Sequence, residues 1–177
     1  QQWQSQAIDL ERDKEQWAEL SDEDKDEHLW GLSSFFVGEE RVTTQFSGLV
    51  MAYEDEQEEA FLTTQQVDEA RHAVFFYRFF REVIGAGESI SSTLAYTEAQ
   101  LGWGYRNVFE WLDRMADDLR RDRSLPNFAR AIALYHMVVE ATLAQPGQHY
   151  IEDYFAKAGT MPGFNEGGGT LQAGEIA

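Results

Sequence analysis

The chain has 177 residues, a formal net charge of -18 at pH 7 and no cysteine. This length fits one domain with a sizeable core, while the strong negative charge argues against a nucleic-acid partner and gives no attraction to anionic membranes. The lack of thiols excludes disulfides, iron-sulfur clusters, thiolate zinc sites and a cysteine nucleophile, so any metal must be held by oxygen and imidazole ligands.

Neither a signal peptide nor a transmembrane span is visible in the sequence. The N-terminus is Gln-rich and acidic, and no uninterrupted apolar run reaches the length that is needed to cross a bilayer. We therefore expect a soluble, cytoplasmic protein.

The scarcity of proline predicts a protein of long helices. Only Pro126, Pro146 and Pro162 interrupt the chain. Capping signals and helical periodicity predict helices over residues 24–53, 60–84, 93–122 and 126–144, with a further helical piece over 149–157. Pro146 is expected to kink or break the fourth helix, because proline removes an amide donor and clashes with the preceding turn.

The C-terminal residues carry no comparable pattern. Beyond Gly163 the sequence turns polar and rich in glycine, with three consecutive glycines at 167–169, and helical periodicity ends. We predict a helical domain over residues 1–166 and a Gly-rich, loose tail over 167–177.

Glu69 and His72 form a Glu-x-x-His motif in the second predicted helix. Residues three apart share one helix face, so a carboxylate and an imidazole can bind one metal ion, as in each half-site of a ferritin-like di-iron bundle. The alternative is a solvated face that includes Arg71, and an isolated motif of this kind is a weak signal. The metal interpretation therefore depends on further ligands.

Two further carboxylates stand in apolar surroundings on other predicted helices. Glu140 lies within the apolar run 137–143, and a buried carboxylate is costly unless it is paired or binds a metal. Glu39 follows an apolar run but precedes Glu40 and Arg41, so a surface position is an equal alternative for it. No other histidine follows a glutamate by three residues, so the sequence has no second Glu-x-x-His motif.

Three short segments together carry a family likeness. They read Gly-Glu-Glu-Arg-Val-Thr at 38–43, Asp-Glu-Ala-Arg-His at 68–72 and Tyr-His-Met-Val-Val-Glu at 135–140. With the surrounding residues from about 30 to 166, they resemble the R2-like ligand-binding oxidases, relatives of the ribonucleotide reductase small subunit. The resemblance implies an all-α, ferritin-like helical bundle, two metal ions, Fe/Fe or Mn/Fe, and metal ligands at Glu39, Glu69, His72 and Glu140.

The same resemblance implies an oxidoreductase. It would form a homodimer and activate dioxygen for the two-electron oxidation of a small apolar ligand, fatty-acid-like in kind. Phe76 stands where radical-generating reductase subunits carry their tyrosine, which disfavours a ribonucleotide reductase small subunit. That subunit, an N-oxygenase on the same bundle and a metal-poor helical binding protein stay open as alternatives.

The resemblance also implies an ether cross-link between Val42 and Tyr135. Val42 follows Glu39 by three residues and Tyr135 precedes Glu140 by five, which are the family's spacings for this bond. The alternative is that both are ordinary core residues. A covalent bond between them would be a product of the oxidising cofactor.

The chain departs from the family pattern near its C-terminus. The second Glu-x-x-His is absent, and with it two of the six ligands of a closed bundle of this class, because Met161–Phe164 leads into the three glycines instead. Either the sequence omits a segment at the glycines, which we favour, or the chain is a natural truncation that lacks the last ligand-bearing helix. Gln148 also stands where the pattern has a tyrosine near the ligand pocket.

Overall fold

The computed structural model describes the backbone of residues 4–175 and the side chains of residues 4–168. Within this range the chain is helical almost throughout and contains no β-strand, which confirms the all-α prediction. The helices are, in chain order, α1 (Glu11–Glu19), α2 (Asp22–Ala52), α3 (Glu56–Phe79), α4 (Ile90–Gln100), α5 (Trp103–Arg121), α6 (Leu125–Ile132), α7 (Gln145–Ala158) and α8 (Pro162–Glu175). Two π-helical segments are continuous with them, Phe80–Ile84 after α3 and Ala133–Ala144 between α6 and α7.

Helices α2 and α3 form an antiparallel pair at the centre of the fold, and both begin at side-chain caps. The Ser21 hydroxyl accepts a hydrogen bond from the amide of Asp24, as the sequence predicts. Asp55 accepts hydrogen bonds from two amides of the next helix, so α3 begins at Glu56 rather than at residue 60. The short connection between the two helices turns the chain back and packs them side by side.

The helix predicted over residues 93–122 is two helices. Leu101 and Gly102 have extended backbone angles between α4 and α5. Leu101 is buried against Val37 and Phe109, so the break places an apolar side chain in the core that a continuous helix would direct elsewhere. The prediction of one helix was wrong because periodicity alone does not report this contact.

Pro146 was predicted to kink or break the fourth helix; the break is wrong, since the chain stays helical from α6 through α7, and the kink stays a prediction. The amide of Gln145 donates to the carbonyl of Glu140, five residues earlier, which closes the last turn of the π-helical segment. Pro146 then lies in the first turn of α7, where proline is tolerated because its missing N–H is not required. The change from π to α geometry therefore accommodates this proline.

The loose tail predicted from residue 167 is helical in the structure, since α8 extends to Glu175. The glycines allow α8 to pack closely rather than making it irregular. A Cβ at Gly163 would lie 2.3 Å from the carbonyl oxygen of Asp9, and one at Gly167 would lie 2.2 Å from the ring of Phe75. The domain boundary at 166 stays a prediction.

The N-terminal segment holds the start of α8 in place. The carboxylate of Asp13, in α1, accepts hydrogen bonds from the amides of Gly163 and Phe164 at 2.8 and 2.7 Å. These amides are among the unpaired donors of a helix N-terminus, so the buried Asp13 acts as a cap supplied by a distant part of the chain.

The core has two parts along α2. An aromatic cluster joins α2, α3, α7 and α8; its rings are Phe36, Phe75, Phe76, Phe79, Phe80, Phe155 and Phe164. A mainly aliphatic cluster joins α2, α5, α6 and the second π-helical segment; its members include Val42, Phe46, Leu49, Leu112, Leu119, Tyr135 and Val139. Glu39 lies on α2 between the two clusters. In the part of the chain that is described, no helix is both long and apolar enough to cross a membrane.

Candidate metal centre

Three buried side chains meet where α2 packs against α3. Glu39 comes from α2, and Glu69 and His72 come from one face of α3. His72 Nδ1 lies 3.3 Å from Glu39 Oε2 and 3.4 Å from Glu69 Oε2. One ligand atom from each of the three residues lies within 4.8 Å of the others, so the group has the dimensions of a metal-binding cluster.

The protonation of His72 reflects this surrounding. Burial by itself lowers the pKa of His72, but the carboxylates of Glu39 and Glu69 outweigh burial and raise the pKa to about 10. The imidazole is therefore protonated at neutral pH when no cation is bound. A metal ion that uses a nitrogen of His72 must displace that proton, so metal binding and proton release are coupled.

Tyr135 links the second π-helical segment to this cluster. Its hydroxyl donates a hydrogen bond to Glu69 Oε1 at 2.9 Å, and the amide nitrogen of Gln65 donates to the hydroxyl oxygen at 3.4 Å. Burial raises the pKa of Tyr135 well above its ordinary value, and the carboxylates of Glu69 and Glu140 add to this effect. The phenol therefore stays neutral and serves as a donor to Glu69.

Glu140 and Val42 lie beside the cluster rather than within it. Glu140 is half-buried on the π-helical segment, and its carboxylate interacts with Tyr135. Val42 is buried one turn after Glu39 and shares the aliphatic cluster with Tyr135. The structure thus brings Glu39, Glu69 and His72 into direct contact and places the other predicted site residues around them.

An apolar cavity of about 280 Å³ lies next to the cluster, between α2, α5, α7 and the second π-helical segment. Glu39 and Glu140 line one part of it, and Glu27 and His28 line another. Glu27 and Glu39 are about three turns of α2 apart, so the cavity follows the helix for roughly 18 Å. The remaining wall is largely aliphatic and aromatic, which suits an apolar ligand.

The donor set is chemically compatible with iron or manganese. Carboxylate oxygens and one imidazole are the ligands that these ions accept, and the two carboxylates outnumber the imidazole. Phe75 and Phe76 follow His72 by one turn and are almost fully buried, so the α3 side of the cluster is sealed from water. The residues present therefore fit an oxygen- and nitrogen-ligated cation.

Sequence reasoning missed Gln65 as a member of the site. It precedes Glu69 by four residues and so lies on the same face of α3, which is the signal that would have found it. The contact between Tyr135 and Glu69 had no such signal, because it depends on how the π-helical segment is rotated against α3. A π-helix has no recognised pattern in a single sequence.

The fold is ferritin-like and is similar to that of the proteins that resemble the ribonucleotide reductase small subunit. No protein-family model matches the chain. Within the class it is similar to R2-like ligand-binding oxidases, as the three sequence motifs predict. The oxidase from Sulfolobus acidocaldarius is 27% identical, with a TM-score of 0.85.

Two variants of R2-like ligand-binding oxidase are each 29% identical to the chain, with TM-scores of 0.86. One has an aerobically reconstituted Mn/Fe cofactor and the other a non-activated Mn/Mn cofactor. The matches cover 98% of this chain but 63%, 62% and 62% of the Sulfolobus oxidase and the two variants, respectively. The chain therefore spans less than two thirds of the length of these oxidases.

Proposed function

We propose that this protein is a di-metal carboxylate oxidase. It binds two metal ions, Fe/Fe or Mn/Fe, and activates dioxygen for the two-electron oxidation of an apolar, fatty-acid-like ligand. The observation that carries the proposal is the buried cluster of Glu39, Glu69 and His72, whose ligand atoms lie within 4.8 Å of one another. Buried carboxylates in this number are costly unless a cation compensates them.

Each site residue has a role in this proposal. The metal ligands are Glu39, Glu69 and His72 and, from the π-helical segment, Glu140. His72 binds as neutral imidazole, so its proton leaves when metal enters. Before any ether bond to Val42 forms, the Tyr135 hydroxyl donates its hydrogen bond to Glu69 and fixes the orientation of that carboxylate. When bound, the metal ions supply the electrons that reduce dioxygen.

The course of α8 supports a completed bundle around the cluster. Phe164 packs against the rings of Phe79 and Phe76, while Gly167 faces Phe75, so α8 runs antiparallel to α3. At 1.5 Å per residue, its backbone passes the levels of His72 and Glu69 before Glu175. In bundles of this class the remaining ligands come from a helix in this position, but the sequence of α8 has no Glu-x-x-His motif, so α8 supplies the backbone of the bundle and not that ligand pair.

The cavity supports the apolar ligand. It reaches Glu39 and Glu140, so a ligand inside it lies directly beside the carboxylates. Its apolar wall binds an alkyl chain by excluding water and leaves few polar groups to compete for it. The polar substrate of an N-oxygenase would need hydrogen-bond partners along this wall, so the cavity favours the apolar ligand.

The position of Phe76 supports the oxidase over a radical-generating reductase subunit. Phe76 is almost fully buried in the aromatic cluster and has no hydroxyl to oxidise. Tyr77, the next residue, is only half-buried and lies under the guanidinium of Arg81. A protected tyrosyl radical would need a phenol at the buried position.

We also propose the ether cross-link between Val42 and Tyr135. The bond forms between a carbon of Val42 and the phenolic oxygen of Tyr135, each of which loses one hydrogen, and the two electrons and two protons pass to dioxygen. Both residues are buried in the aliphatic cluster, which supports the proposal. A homodimer is likewise proposed from the resemblance.

Metal loading tests the proposed function. The protein is incubated anaerobically with ferrous and manganous ions, freed of unbound metal and subjected to elemental analysis. We expect two tightly bound ions per chain, followed by oxygen consumption on exposure to air. Fewer than one ion per chain would exclude the dinuclear site and favour a metal-poor helical binding protein.

A further inference from the structure

Gly147 and Phe35 meet at the wall of the apolar cavity, and both line it. Gly147 lies in the first turns of α7, just after Pro146, and Phe35 lies on α2. A Cβ on Gly147 would be 2.8 Å from the Cζ atom of the Phe35 ring. This is closer than real Cβ atoms approach carbon, so any side chain at position 147 would force the ring to move.

The ring of Phe35 is blocked on the side of Phe76. On one side it stacks on Phe76, with ring centroids 5.9 Å apart and planes within 8°. Phe76 is itself fixed by edge contacts with Phe75 and Phe164, and all three are nearly inaccessible to solvent. The ring also lines the cavity, so a displacement away from Phe76 and into the cavity narrows it.

The dimensions of the cavity indicate what it admits. About 280 Å³ spread along roughly three turns of α2 gives a mean cross-section of roughly 16 Å². That is close to the cross-section of a single extended alkyl chain. A methyl branch needs a larger cross-section than this mean value.

We propose that Gly147, by leaving Phe35 flat against Phe76, sets the width of the cavity and makes it selective for unbranched alkyl chains. This inference rests on the proposed function, since it takes the cavity as the ligand site of the oxidase. Gly147 and Phe35 are specificity-determining residues in this proposal and take no part in metal binding. Glycine in a helix is unfavourable, so its presence here is consistent with a requirement for space.

Calorimetric titration tests the proposal on the full chain, before and after metal loading. The probes are straight-chain alkyl carboxylates of graded length and their methyl-branched isomers. The wild-type protein is expected to bind the straight chains more tightly than the branched isomers. Gly147→Ala should weaken straight-chain binding about tenfold, as expected for overpacking, and Phe35→Leu combined with Gly147→Ala should restore it.

Gly104→Ala is the matched control. Gly104 is an exposed glycine of α5 whose added Cβ would meet no atom within 4 Å, so binding should be unchanged. Phe35→Leu alone should widen the cavity and bring branched isomers close to straight chains in affinity. This second variant keeps the test decisive if circular dichroism shows that Gly147→Ala does not fold.

Several outcomes would overturn the inference. They are equal affinity of the wild type for straight and branched isomers, an unchanged affinity of folded Gly147→Ala, and no binding of any probe by the wild type. None of these is a measurement of metal content or oxygen consumption. Failure of this inference is therefore distinguishable from failure of the proposed oxidase.

Discussion

Among the side chains that the structure describes, carboxylates are buried in two regions, and each region stabilises them differently. Asp13 is inaccessible to solvent and accepts two amide hydrogen bonds from the start of α8. Glu39 and Glu69 are also buried, but they face each other across one imidazole, that of His72. Backbone amides compensate Asp13, whereas the pair of glutamates depends on a positive charge.

The source of the compensating charge distinguishes Asp13, a structural carboxylate, from Glu39 and Glu69, which are candidate metal ligands. The amides of α8 are fixed by the helix, so Asp13 is compensated by hydrogen bonds and helix dipole rather than by a side-chain cation. Between Glu39 and Glu69, a proton on His72 and a metal ion compete for the same position. Burial alone therefore does not identify a metal site; the source of the compensating charge does.

Substitution of His72 should have the largest effect. His72→Ala removes the cation that both glutamates share, so the metal-free protein should lose about 3 to 5 kcal/mol of unfolding free energy. Tight metal binding should be lost as well. Urea denaturation and elemental analysis measure the two effects.

His149→Ala is the matched control, because His149 is an exposed histidine of α7. It should leave both the stability and the metal content unchanged. Wild-type metal content in His72→Ala would contradict the assignment of this imidazole as a ligand.

Tyr135→Phe should have the next largest effect. It removes the hydroxyl that donates to Glu69 and should lower the free energy of unfolding by about 1 to 3 kcal/mol, since a buried acceptor loses a partner.

After aerobic metal loading of the wild type, peptide mapping by mass spectrometry should show the Val42 and Tyr135 peptides joined with loss of two hydrogens, and the variant should show them separate. Separate peptides in the wild type would contradict the proposed cross-link. Tyr96→Phe, which removes the hydroxyl of an exposed tyrosine, is the control.

Glu140→Gln should have a smaller effect, because Glu140 is half-buried and lies outside the tight cluster. We expect about tenfold weaker metal binding and less than about 1 kcal/mol of change in stability. Competitive chelation measures the affinity, with the exposed Glu88→Gln as control. A loss of metal as complete as that of His72→Ala would show that the cluster extends to the π-helical segment.

Asp13→Asn should have the smallest effect on stability, and that effect should be visible as a change in how the free energy of unfolding depends on pH. Burial raises the pKa of Asp13 above its ordinary 3.8, against the opposing hydrogen bonds from Gly163 and Phe164. The folded protein therefore holds this proton more tightly than the unfolded chain. Its contribution to stability is fully present below about pH 3.8 and is lost as the pH rises through the raised pKa.

Urea denaturation at a series of pH values compares the wild type with this variant. The difference in unfolding free energy should change in favour of the variant from about pH 3 to pH 7, because asparagine does not titrate. A change in favour of the wild type over the same pH range would show that the amides of α8, rather than burial, dominate at this carboxylate.

Local signals were sufficient for much of the fold. The cap at Ser21 and the left-handed glycine Gly85 fixed ends of helices that the structure confirms, because both act through their nearest neighbours. The break at Leu101, the accommodation of Pro146 and the helical course of α8 were missed. Each depends on a packing contact or a π turn that no local pattern carries.

The sequence by itself determined that Glu69 and His72 share a helix face, because residues three apart on an α-helix always do. It also determined, through three short motifs, the class of fold. Only the tertiary structure decided that Glu39 faces this pair, that Tyr135 donates to Glu69 and that Gly147 leaves Phe35 beside an open cavity. Those relations join different helices, and their distances follow from helix packing rather than from spacing along the chain.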